Sequence, residues 1–66
     1  MNIRLSDENG KECRWECWRD TRRPAGWMLR DHTGYVRVLA SNWEQSVPHI
    51  RQIAGNHAMT LLQEVS

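Results

Sequence analysis

Sixty-six residues leave room for one small core and for no second module, so a single domain spanning residues 1–66 is expected. With 39% hydrophobic and 26% charged residues, and no run near the roughly 18 apolar residues that cross a bilayer, the composition fits a folded domain and excludes a disordered tail or a membrane span. The formal net charge of +1 excludes a polycation, but it is uneven: Lys11 to Arg37 holds seven basic against four acidic residues, a local +3, and each flank carries −1.

In chain order, Ile3 and Leu5 alternate with polar neighbours and run into Asp7-Glu8-Asn9-Gly10, which predicts a first strand and a hairpin turn. Glu12 to Asp20 alternates again, with Cys13, Trp15 and Cys17 on one side and Arg14, Glu16 and Trp18 on the other, a second strand. Thr21 to Gly26 breaks the period with Pro24 and Gly26 and reads as an exposed basic loop. Trp27–Arg30 and Tyr35–Ala40 flank Asp31-His32-Thr33-Gly34, a second hairpin in which Gly34 is free to take a positive φ. Ser41-Asn42-Trp43-Glu44 fits a capping box and Ser46-Val47-Pro48 a helix start, and the helix is placed from Ser46. Over residues 47–65 two readings stand: Gly55-Asn56 ends a short helix and His57 to Val65 returns as a fifth strand, which is favoured, or one long amphipathic helix continues. Either gives an α+β fold, a small antiparallel sheet of four or five strands with one helix packed on one face.

The chemistry-bearing residues do not assemble into a catalytic pattern. Cys13 and Cys17 with His49 and His57 have the wrong spacing for a structural zinc site, and two cysteines on one strand sit about 13 Å apart, too far for a disulfide, so both are expected as buried reduced thiols. His32 beside Asp31 reads as a solvated turn histidine, and no phosphate-cradling glycine motif is present. Neither catalysis, nor a metal, nor another cofactor is expected. The polar opening Met1–Asp7 lacks the apolar run of an export signal, and a cytoplasmic, membrane-free protein is expected.

Four tryptophans without a phenylalanine, and eight arginines against one lysine, point to binding, because Trp and Arg are the residue types enriched where interfaces hold most of their energy. Alternation under a helix that covers Trp15, Leu29, Val36 and Val38 sends Arg14, Trp18, Tyr35 and Arg37 to the opposite face, joined by Arg30 and rimmed by Arg19, Arg22 and Arg23. The candidate binding residues are therefore Arg14, Trp18, Arg22, Arg23, Arg30, Tyr35 and Arg37. They suit a protein or protein–nucleic acid partner, with direct single-stranded nucleic acid binding as the alternative and a homodimer as another way to cover the face. In its short length, lack of an active site and Arg/Trp-rich surface, the chain resembles the small inhibitors encoded by phages and mobile elements, anti-CRISPR proteins among them. That resemblance implies stoichiometric blocking of a host complex that handles nucleic acid.

Overall fold

The structure is a computed structural model that describes residues 1–22 and 26–64, with the side chains of residues 63 and 64 outside the description. It is a small α+β fold: β1 (Asn2–Ser6), β2 (Glu12–Asp20), β3 (Gly26–Arg30), β4 (Val36–Val38), α1 (Trp43–Asn56) and β5 (Thr60–Glu64). The strands form one antiparallel sheet in the order β4-β3-β2-β1-β5. The first four follow one another as neighbours, and α1 then crosses one face so that β5 reaches the far edge beside β1.

The β1–β2 and β3–β4 hairpins use one device, set by Asp-x-x-Gly. In the first, the Asp7 amide donates to Lys11 O and the Gly10 amide to Asp7 O, at 2.9 and 3.0 Å; in the second, the Asp31 amide donates to Tyr35 O and the Gly34 amide to Asp31 O, at 3.1 and 3.0 Å. One Asp Oδ1 then accepts the amides two and four residues on, from Asn9 and Lys11 at 2.9 and 2.8 Å, and from Thr33 and Tyr35 at 2.9 and 3.2 Å. Gly10 and Gly34 take φ of 82° and 88°, which a side chain would resist. Each loop thus holds three residues between its closing pair.

That loop length overturns the expected faces of β4. Three loop residues place odd-numbered positions opposite odd-numbered ones, so Leu29 pairs with Arg37, while Met28 and Arg30 pair with Val38 and Val36. A two-residue turn would have set Leu29 against a valine. Tyr35 and Arg37 consequently lie on the helix side, and Val36 and Val38, expected under the helix, lie on the open face.

The core gathers Ile3 and Leu5 of β1, Trp15 and Cys17 of β2, Leu29 of β3, and Ile50 and Ala54 of α1. Every strand residue in that set falls on one side of the alternation, and Ile50, Ile53 and Ala54 supply a helical stripe against it. Trp43 in the first turn of α1 packs on Trp27, ring centroids 4.9 Å apart.

The helix begins one turn before the expected Ser46. Asn42 in extended conformation is the N-cap, its Oδ1 accepting the Gln45 amide at 2.8 Å, so the cap lies one residue beyond the Ser41 position of the capping-box reading. Ser46 is instead buried in the second turn, with its Oγ donating to Asn42 O at 2.7 Å and accepting the Ala40 amide at 3.2 Å. At the other end the favoured helix-then-strand reading holds, but the reversal comes later than Gly55-Asn56. The Met59 amide donates to Ala54 O at 2.8 Å and the Ala58 amide to Gly55 O at 3.1 Å, a Schellman closure with Ala58 at φ 56°. No described helix is long and apolar enough to cross a membrane.

Candidate binding face

The sheet face away from α1 carries, from β4 inward, the row Val38, Met28, Trp18 and the parallel row Val36, Arg30, Glu16, Asn2. Arg14 pairs with Arg4 and Glu12 with Ser6 further along. The first row is apolar throughout, with Val38 among the most exposed large hydrophobic residues and Met28 and Trp18 half-buried. Beside it, the Arg30 guanidinium lies 5.6 Å from the Trp18 ring centroid and 3.3 Å from a Glu16 carboxylate oxygen. Met1, Glu16, Cys17, Trp18 and Arg30 line a shallow groove of about 210 Å³ at this point.

The arginines of this face are matched by acids. Glu12 accepts from Arg4 at 2.7 Å and lies 3.8 Å from Arg14, and the Arg4 hydrogen bond holds the Glu12 carboxyl below its ordinary range. At the margin Asp20 accepts the Arg22 amide at 2.9 Å and its Nε at 3.3 Å, and these bonds likewise lower the Asp20 carboxyl. Among the described residues the face is therefore apolar at one end and carries both signs of charge along the rest, with Arg4 and Arg14 sharing Glu12.

Of the expected binding residues, Arg14, Trp18 and Arg30 come together on this face, and Arg22 stands exposed at its margin. Arg19 lies on the helix side, opposite Trp27. Arg23, with Pro24 and Ala25 of the predicted basic loop, lies outside the described residues. Tyr35 and Arg37 form a separate cluster on the helix side. Val36 and Val38 were missed as face residues, and the signal that reveals them is the three-residue Asp-x-x-Gly loop; Met28 was missed although its alternation with Leu29 places it there.

The second cluster centres on Asp31, whose side chain is 1% exposed. Its Oδ1 accepts the Thr33 hydroxyl at 2.6 Å besides the two amides, whereas its Oδ2 has no hydrogen-bond partner among the described residues. Arg37 approaches Oδ2 at 3.5 Å and His57 Nε2 at 3.9 Å. Burial alone would raise the Asp31 carboxyl, but the bonds from Thr33 and Tyr35 and the charge of Arg37 outweigh it and leave the group below its ordinary value. His32, exposed in the turn, also makes contacts inward: its Nδ1 accepts the Trp15 indole N–H at 3.2 Å, and its ring meets His57 edge-on at 4.8 Å. Among the described residues no three His, Cys, Asp or Glu side chains converge as metal ligands. This cluster ties β2, the β3–β4 hairpin and the end of α1 together.

Both thiols are free. Burial pushes Cys17 up to about 11, and burial, then the charges of Asp7 and Glu12, raise Cys13, whose Sγ–H points at Met59 Sδ at 3.5 Å. Compared with known proteins, the chain matches no family model, no curated protein and no solved structure.

Proposed function

We propose that this chain is a non-enzymatic protein-binding module, a stoichiometric inhibitor or adaptor that seats a partner protein on the open face of its sheet. The observation that carries the reading is the Trp18–Met28–Val38 row, with Arg30 beside it paired to Glu16 and Arg4 further along the face paired to Glu12. An apolar centre with a rim of both charges is the composition of a protein interface, where the apolar core excludes water and the rim fixes orientation. A nucleic acid strand gains most from unopposed cations, and here each phosphate would compete with Glu12 or Glu16 for its arginine. The direct nucleic-acid reading is therefore the weaker one. A raised, buried Cys17 thiol and a His32 Nδ1 occupied by Trp15 agree with a role without catalysis. Such a module would act inside the cytoplasm on a protein or protein–nucleic acid complex, the target class that the likeness to phage inhibitors implies.

The test is capture from a bacterial lysate, with and without nuclease, by the wild-type chain and by Trp18→Ala with Met28→Ser. A stoichiometric protein partner that survives nuclease and is lost with the double variant supports the reading. Retention of nucleic acid alone, or capture indifferent to the variant, refutes it.

A further inference from the structure

The two outer strands of the sheet are unlike. β5 shifts register between its pairings to Arg4 and Leu5, leaving Leu62 outside the ladder, and a bulge of this kind turns an edge away from further pairing. Within Val36–Val38, β4 carries no bulge, proline or lysine, although Leu39 and Ala40 both oppose Trp27 just beyond it; Val36 and Val38 are 37% and 56% exposed, and the preceding Tyr35 is 61% exposed. The bonds from the Asp31 amide to Tyr35 O and from the Leu39 amide to Trp27 O direct the odd-numbered backbone groups of this segment toward β3. The N–H and C=O of Val36 and Val38 therefore point outward. Beyond them Ser46 Oγ takes the Ala40 amide and closes the edge, so the open stretch is three residues long.

A second copy is a poor occupant. Three ladder positions bury far less than the roughly 1,200 Å² of a stable interface, and the two-fold that pairs Val36 with Val38 sets Arg37 against Arg37. What the edge does offer is a cation with unspent donors. The Arg37 guanidinium lies 4.7 Å from the Tyr35 ring and 3.5 Å from Asp31 Oδ2, and makes no hydrogen bond among the described residues. Asp31 is buried beneath it, so Arg37 presents its outer side to whatever pairs with β4.

We propose that β4 accepts an extended segment of a partner protein as a sixth strand, and that the segment reads apolar–acidic–apolar, with its carboxylate opposite Arg37 and its apolar side chains beside Val36 and Val38. Specificity divides by face: the acid lies on the helix side, and the apolar pair extends the open-face row beyond Val38. The inference rests on the protein-binding reading but uses the strand edge rather than the face.

The probes are two synthetic nonapeptides of alternating valine and threonine, one with a central glutamate and one with a central glutamine, titrated into labelled protein and followed through backbone amide resonances. The expected result is that the Val36 and Val38 amides move and gain exchange protection, and that the glutamate peptide binds up to about fivefold tighter than its twin. Arg37→Gln should abolish that preference. Val36→Pro, which deletes an outward N–H and no bond to β3, should abolish binding, while Trp18→Ala should leave it intact. The inference is overturned if the Val36 and Val38 amides do not respond, if both peptides bind equally, or if binding survives Val36→Pro. Concentration-dependent dimerisation lost in Val36→Pro would also overturn it, by making a second copy the occupant. Loss of peptide binding in Trp18→Ala but not in Val36→Pro would return the site to the sheet face.

Discussion

Replacing Asp31 by alanine, with Asp7→Ala as its internal control, measures what burial adds to a turn carboxylate. Both acids accept the amides two and four residues on with nearly the same geometry, so their local contribution is the same. Side-chain-to-backbone bonds of this kind are worth about 1 kcal/mol when lost from an accessible turn. Asp31 additionally accepts the Thr33 hydroxyl at 2.6 Å, is 1% exposed, and is the acidic neighbour of a half-buried Arg37. Its removal leaves the Thr33 and Tyr35 amides without their acceptor and the guanidinium without its counter-charge, which sets the cost at about 3 kcal/mol. A domain of this length has only about 3–10 kcal/mol in total, and at roughly 4–8 °C per kcal/mol the melting temperature should fall by about 12–24 °C. Urea unfolding at pH 7, followed by tryptophan fluorescence, reads both variants. A difference between them below about 0.5 kcal/mol would refute the account of Asp31 as a buried anchor. The pH dependence gives the sign independently. The folded Asp31 carboxyl lies below its unfolded value of about 3.9, so its stabilisation is complete above that value and disappears as pH falls through the lowered folded one. Asp31→Ala should lack this part of the acid-induced loss.

Three further outcomes follow from local geometry. Ala58→Gly should stabilise the protein by about 0.5–1 kcal/mol, because Ala58 holds φ 56° at a helix end that favours glycine; calorimetry showing no rise in melting temperature would contradict this. Asn42→Ala should cost about 1 kcal/mol by freeing the Gln45 amide, whereas Ser41→Ala, outside the observed cap, should be near neutral. Under native conditions at pH 8, mass spectrometry after iodoacetamide should find Cys13 alkylated before Cys17, whose thiol is fully buried and raised to about 11; the reverse order would place Cys17 elsewhere.

The elements that were legible in the sequence are those whose pattern is local. Alternation through Ile3, Leu5, Cys13, Trp15 and Cys17 defines β1, β2 and the face they bury, and the 3.6-residue spacing of Ile50, Ile53 and Ala54 defines the helical stripe. The faces of β4 were not legible from alternation alone, because Val36 and Val38 are the apolar members of their strand and nonetheless lie outside. Their placement depends on loop parity, fixed by a carboxylate accepting two amides and a glycine at positive φ. The helix start was misplaced because Ser46 resembles a cap yet spends its hydroxyl on Asn42 O and the Ala40 amide. The same parity split the expected binding set: Arg14, Trp18 and Arg30 share a face, while Tyr35 and Arg37 belong to the Asp31 cluster. The pairing of Arg4, Arg14 and Arg30 with Glu12 and Glu16 depends on cross-strand register, so the composition suggested a basic face where the structure has one carrying both signs of charge.

Occupancy of the open face is most directly measured by oxidative footprinting of the protein alone and in complex with the partner retained after nuclease treatment. Trp18 and Met28 report the open face, and Trp43 and Met59, which pack on the helix side of the sheet, report everything else. The account predicts strong protection of Trp18 and Met28 with Trp43 and Met59 unchanged. Unaltered oxidation of Trp18 and Met28 in a stoichiometric complex would contradict it.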